Sequence, residues 1–154
     1  MKGKIFSPTE ANRMLPLVAS IADDIVATYA DVNQALQAFQ AEETRAKHVE
    51  GREIPTSRST ASPDGALAQS KDALAKRNAE VGVALDRFQK LIQEIEGLGG
   101  TLRDYERGSI DFYGEVDGEI VYLCWQRGED HVAHWHKLDE GFSKRRPLTS
   151  VAVS

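Results

Sequence analysis

Ile110–Gln126 reads IDFYGEVDGEIVYLCWQ, two runs of alternating side chains on either side of Asp117-Gly118. Asp-Gly suits the positive backbone angles of a two-residue hairpin turn. With that pair as the turn, Val116 faces Glu119, and counting back sets Phe112 opposite Leu123, Asp111 opposite Cys124 and Ile110 opposite Trp125. Residues two apart share a face. One face then carries Ile110, Phe112, Val116, Val121, Leu123 and Trp125, with Glu119 as its exception, and is suited to lie on helices. The other carries Asp111, Tyr113, Glu115, Ile120, Tyr122 and Cys124, mostly polar or amphipathic.

Further turn signals at Arg107-Gly108 and Arg127-Gly128 bound neighbouring segments, so the region of about 101–137 reads as a four-stranded antiparallel meander. The last strand, about His131 to His136, has two registers. An odd loop at Arg127 to Glu129 puts Ala133 and Trp135 on the apolar face; an even loop puts Val132, His134 and His136 there. Burying two imidazoles demands two hydrogen-bond partners, whereas burying the Trp135 indole removes more apolar surface from water. The odd loop is therefore expected. It gathers His134 and His136 with Asp111, Glu115 and Cys124, and gives His131 the opposite parity.

Upstream the period is helical. Ser7, Pro8 and Glu10 form a helix start: an N-cap, a proline where its missing N–H costs nothing, and the acid of a capping box. Met14, Val18, Ile21, Ile25, Tyr29, Val32, Leu36 and Phe39 then recur at steps of three and four over about 7–47, with Pro16 expected to kink or restart the helix. A second stripe, Leu67, Leu74, Val81, Leu85, Phe88, Ile92 and Ile95, spans about 66–98 and stops at Leu98-Gly99-Gly100. Between them, 48–65 is rich in Pro, Ser, Thr and Gly and reads as a mobile linker. The expectation is one α+β domain over 1–154: a long antiparallel helix hairpin, with coiled-coil character, packed on the meander, followed by a C-terminal loop and tail at 138–154. Helical seam longer than a small sheet covers invites a second copy of the chain, a homo-oligomer and most simply a dimer.

The 154 residues carry 19 basic and 24 acidic side chains, a net charge of −5, which disfavours nucleic acid as a partner. Cys124 is the only cysteine, so no internal disulfide forms. The opening MKGKIFSPTE lacks an apolar core of the kind that directs secretion or membrane insertion, and a cytoplasmic location is expected.

FSPTEANRMLP at Phe6–Pro16, IDFYGEVDGEIVYLCWQRGED from Ile110 and WHKLDEGFSKRRPL from Trp135 resemble the bacterial proteins grouped as DUF2203, a domain of unknown function. The most specific matches are Asp111-Phe112, Cys124-Trp125, Gly128-Glu129, Trp135-His136, Gly141-Phe142, Arg145 and Pro147-Leu148. The resemblance implies an uncharacterised cytoplasmic domain and brings no activity with it.

The sequence supports two functional expectations. The first is a non-catalytic interaction or assembly module, self-associating through its helices and meeting a protein partner through Glu115, Tyr122, Glu129 and Arg145. Arg145 leads that set because a planar guanidinium binds oxyanions bidentately, and Ser143–Pro147 (SKRRP) could hold a phosphate or an acidic partner. The second is a metal-binding protein or metal-dependent enzyme that holds zinc or iron through Asp111, Cys124, His134 and His136. Against that stand the absence of a Cys-x-x-Cys or His-Glu-x-x-His motif and the simpler reading of the face as a solvated sheet surface. A Cys124 nucleophile is disfavoured by the neighbouring Asp111 carboxylate, which opposes a thiolate.

Overall fold

The computed structural model describes residues 4–52 and 63–150. The fold is α+β, two long helices forming a hairpin and a five-stranded antiparallel sheet. The chain divides into two compact units, one of residues 1–29 and 89–154, the other of 30–88.

The helices are α1 (Pro8–Arg52) and α2 (Pro63–Gly97). The capping box forms as the sequence indicates: Ser7 N–H donates to Glu10 Oε1 at 2.9 Å and Glu10 N–H to Ser7 Oγ at 3.1 Å. α1 runs through Pro16 without a restart. Pro16 is exposed, where water can replace the one lost hydrogen bond. Of the linker expected at 48–65, residues 53–62 lie outside the described residues, and its flanks are helical. Pro63 takes the first position of α2, where proline fits.

The strands are β1 (Gly100–Asp104), β2 (Ser109–Val116), β3 (Glu119–Gln126), β4 (His134–His136) and β5 (Arg146–Pro147), paired in that order. β2 and β3 pair as the turn dictates, Val116 with Glu119 through Ser109 with Gln126. Asp117 and Gly118 have φ of 52° and 78°, the two positive angles of the hairpin turn. β4 pairs Leu123 with Trp135 and Cys124 with His134, the register of the odd loop.

Two features of the last third differ from expectation. β4 is three residues rather than six, because Val132 is bonded elsewhere. The Asn12 side chain accepts from Val132 N–H at 2.7 Å and donates to its carbonyl at 3.3 Å, imitating a strand partner. The segment expected to be a C-terminal loop supplies β5, so the sheet has five strands rather than four. Leu148 N–H extends that pairing to the Ala133 carbonyl at 2.9 Å.

In the first unit the core is the apolar sheet face with helical residues from Ala11 to Thr28 and from Leu91 to Ile95. Ile110, Phe112, Val116, Val121, Leu123 and Trp125 are all buried, as are Val18, Ile21, Ile25 and Ile95. Phe6 packs edge-on against Phe112 at 5.4 Å and bridges its strand to Gly114. A Cβ at Gly114 would lie 2.5 Å from Leu123 Cγ, a side chain with no room to move. Gly114→Ala is expected to cost about 1 to 3 kcal/mol by overpacking, read as a lower urea midpoint with unchanged m-value.

In the unit of residues 30–88, the buried positions among the described residues are Val32, Glu42 and Ala46 on α1 and Val81 and Phe88 on α2. Glu42 is paired with Arg45 at 2.6 Å. Leu36 and Leu85, both expected in the helical seams, are instead 38% and 39% exposed.

Candidate metal centre

The polar sheet face is not a solvated surface over its length. Asp111, Cys124 and His136 are all buried, because the chain after β4 folds back across them. Leu138, Glu140, Gly141 and Phe142 from that return segment wall a cavity of about 210 Å³ together with the three buried side chains. Ion pairs hold the segment in place. Arg146 grips Glu140 with two hydrogen bonds of 2.8 Å, and Arg145 grips Glu129 with bonds of 2.9 and 2.6 Å.

The cluster forms because β2 and β3 pair Asp111 with Cys124, and β4 adds His136 two residues beyond the partner of Cys124. One ligand atom from each of the three lies within 4.8 Å of the other two. His136 Nδ1 lies 2.9 Å from the Lys137 carbonyl, which can only accept, so Nδ1 carries a proton. Nε2 faces Asp111 Oδ2 at 3.1 Å, within hydrogen-bond distance. Asp111 Oδ2 also accepts from Arg103 Nε at 3.1 Å. The other carboxylate oxygen, Oδ1, is buried with no hydrogen-bond partner among the described residues.

Burial and the Asp111 carboxylate push the Cys124 thiol up to about 12, with Arg145 opposing them. At neutral pH the sulfur is therefore protonated, which argues against an unaided nucleophile, as the sequence indicates.

The other residues singled out from sequence fall in different places. His134 is not in the cluster: its ring lies near Glu129, with Nδ1 3.9 Å from Oε2 and no hydrogen-bond partner among the described residues. Its side chain leaves the strand next to Cys124, yet the acid it meets is in the preceding loop. Tyr122 is on the cavity wall, 5.4 Å from the His136 ring and stacked on Tyr113 at 5.1 Å. Glu115 is half-buried on the same sheet face and does not line the cavity. Arg145, expected to reach outward to an oxyanion, is committed internally: both terminal nitrogens bond Glu129, and its guanidinium lies 4.0 Å from the Phe142 ring centroid. Burial raises the Glu129 carboxyl, but bonds from Arg145 and Gln126 N–H outweigh it and hold the group below its usual 4.5.

Arg103, Ser109 and Glu140 line the cavity and were not singled out from sequence. The signal for Arg103 was present. Thr101 pairs with Asp111, so alternation along β1 places Arg103 on the Asp111 face, but a bulge after Leu102 hides the count. Glu140 lies in a segment without periodicity.

Glu140 supplies a pH test. The Arg146 hydrogen bonds and Lys137 N–H lower its carboxyl from 4.5 to about 2. A depressed folded-state value means its stabilising contribution is complete above about pH 4.5 and is lost as pH falls toward 2. Urea midpoints of wild type and Glu140→Gln are expected to differ at pH 6 and to converge near pH 2.

Among the described residues no helix is long and apolar enough to cross a membrane. Comparison with curated proteins and with solved structures gave no match. A family model described as "Uncharacterized conserved protein (DUF2203)" matches residues 4–148, nearly the whole chain and every residue of the cluster. The chain belongs to the DUF2203 family.

Proposed function

We propose that this protein binds a transition metal ion, zinc or iron, through Asp111, Cys124 and His136. The observation that carries the reading is the convergence of a carboxylate, a thiol and an imidazole within 4.8 Å at the wall of a cavity. A sulfur, nitrogen and oxygen donor set suits these metals, and three protein ligands beside an open volume match the pattern of sites that leave a position for water or substrate. Two details support it. The Lys137 carbonyl fixes His136 as the tautomer whose Nε2 is available, the orientation commonly given to a metal-ligating histidine. Asp111 Oδ1, buried and unpartnered among the described residues, has a lone pair to offer. His134 has no part in this set.

Elemental analysis of untagged protein tests the reading. Roughly one zinc or iron per chain is expected, with affinity lowered at least about 10-fold in Cys124→Ser and in His136→Ala. Metal-free protein that fails to take up zinc or iron(II) on titration, and whose cobalt(II) complex shows no thiolate charge-transfer band, would defeat it.

A second reading rests on a different observation. In the unit of residues 30–88, Val83 is 72% exposed and Leu36 and Leu85 are half-open. Such side chains favour a non-catalytic assembly module, self-associating as a dimer through its helices in a reducing cytoplasm. Light scattering that shows a strict monomer at high concentration would remove it.

A further inference from the structure

The cavity beside Asp111, Cys124 and His136 has walls of two kinds. One is cationic. Arg103 donates Nε to Asp111 and lays its guanidinium 4.7 Å from the Tyr122 ring centroid, which fixes the plane of the fork. Its two terminal nitrogens make no hydrogen bond among the described residues, and its side chain is 43% exposed. Ser109, buried on the same wall, brings a hydroxyl. The other wall is apolar, made by Leu138 and the ring of Phe142. Leu138 is 48% exposed, a large apolar side chain open at the rim.

Charge fixes the sign and size of what fits. Glu140 is cancelled by Arg146, and Glu129 by Arg145. A dication held by the Asp111 carboxylate and the Cys124 thiolate is formally neutral, which leaves the Arg103 charge uncompensated. One negative charge completes the balance; a dianion exceeds it. A cavity of about 210 Å³ is smaller than the sites that hold drug-sized ligands and equals the share of roughly seven waters in the liquid.

We infer that this cavity binds a small monocarboxylic acid, its carboxylate between the metal and the outer edge of Arg103 and its short hydrocarbon body against Leu138 and Phe142. The inference rests on the metal reading above. A bidentate guanidinium and a metal together recognise a planar carboxylate, and the apolar wall selects acids with a hydrocarbon tail over formate.

Calorimetry on zinc-loaded protein, its metal content measured on the same sample, tests this with formate, butanoate, benzoate, inorganic phosphate and butylamine as probes. Butanoate or benzoate is expected to bind at least about 10-fold more tightly than formate, with phosphate weaker and butylamine silent. Phe142→Ala is expected to erase most of the preference for the longer acids over formate in the fraction that still holds metal, and a preference that survives it overturns the inference. Arg103→Gln should weaken every carboxylate in the fraction that still holds metal. Loaded protein that ignores all three acids, or that takes phosphate as well as butanoate, overturns the inference and spares the metal site. Protein that takes up no metal overturns both.

Discussion

Asp111→Ala is expected to lower the unfolding free energy of the metal-free protein by about 1 to 3 kcal/mol, the cost of leaving a buried hydrogen-bonding group without its partner. Asp111 and His136 each keep only 3% of their side-chain surface exposed. The substitution removes the carboxylate that accepts from Arg103 Nε and pairs with His136 Nε2. Arg103 is nearly half exposed and water compensates it, so most of the cost falls on the buried imidazole. The two partners should therefore be coupled: the double variant Asp111→Ala with His136→Ala is expected to cost less than the sum of the singles by about 1 to 3 kcal/mol. Urea unfolding in the presence of a chelator measures all three. A single-variant loss below about 1 kcal/mol, or simple additivity, would mean that the pair is solvated and that the cluster is not a preorganised site.

Trp125→Ala is the second large effect, with an expected loss of about 3 to 5 kcal/mol. The indole is 1% exposed, and its Nε1–H donates to the Glu129 carbonyl at 2.9 Å, so the ring both fills the core and anchors the loop between β3 and β4. That loop carries the Glu129 carboxylate that holds Arg145. The variant is thus expected to loosen the return segment as well as the core, with faster amide exchange at Arg145 and Arg146 than Gly114→Ala produces at equal loss of stability. A loss near 1 kcal/mol would place the indole outside the packed face and would undo the alternation on which the site depends.

The candidate site was partly legible in sequence because strand pairing is a local count. Asp117-Gly118 fixes one turn, and from it the pairing of Asp111 with Cys124 follows without knowledge of anything distant. The choice between two registers for β4 followed from comparing one indole with two imidazoles, and His136 arrives beside Asp111 as a result. His134 shows the reach of parity: it has the right face, yet being on the right face does not determine which neighbour a ring meets. Leu36 and Leu85 show the same limit on helices. Periodicity placed them in a seam, while their burial depends on which turns of the partner helix come opposite.

What the sequence alone determined is the α+β class, the capped start of α1, the register of β2 against β3, and the sorting of the strands into a mostly apolar and a mostly polar face. Each depends on residues a few positions apart and on backbone angles that few residue types adopt. Tertiary structure decided which part of the polar face is buried. The return of residues 138–147 as a 3-10 turn and a two-residue strand is held by Arg145 to Glu129 and Arg146 to Glu140, pairs whose partners charge patterning cannot assign. Only that return turns a carboxylate, a thiol and an imidazole on a sheet face into a walled cavity, because removing them from water requires a cover from elsewhere in the chain.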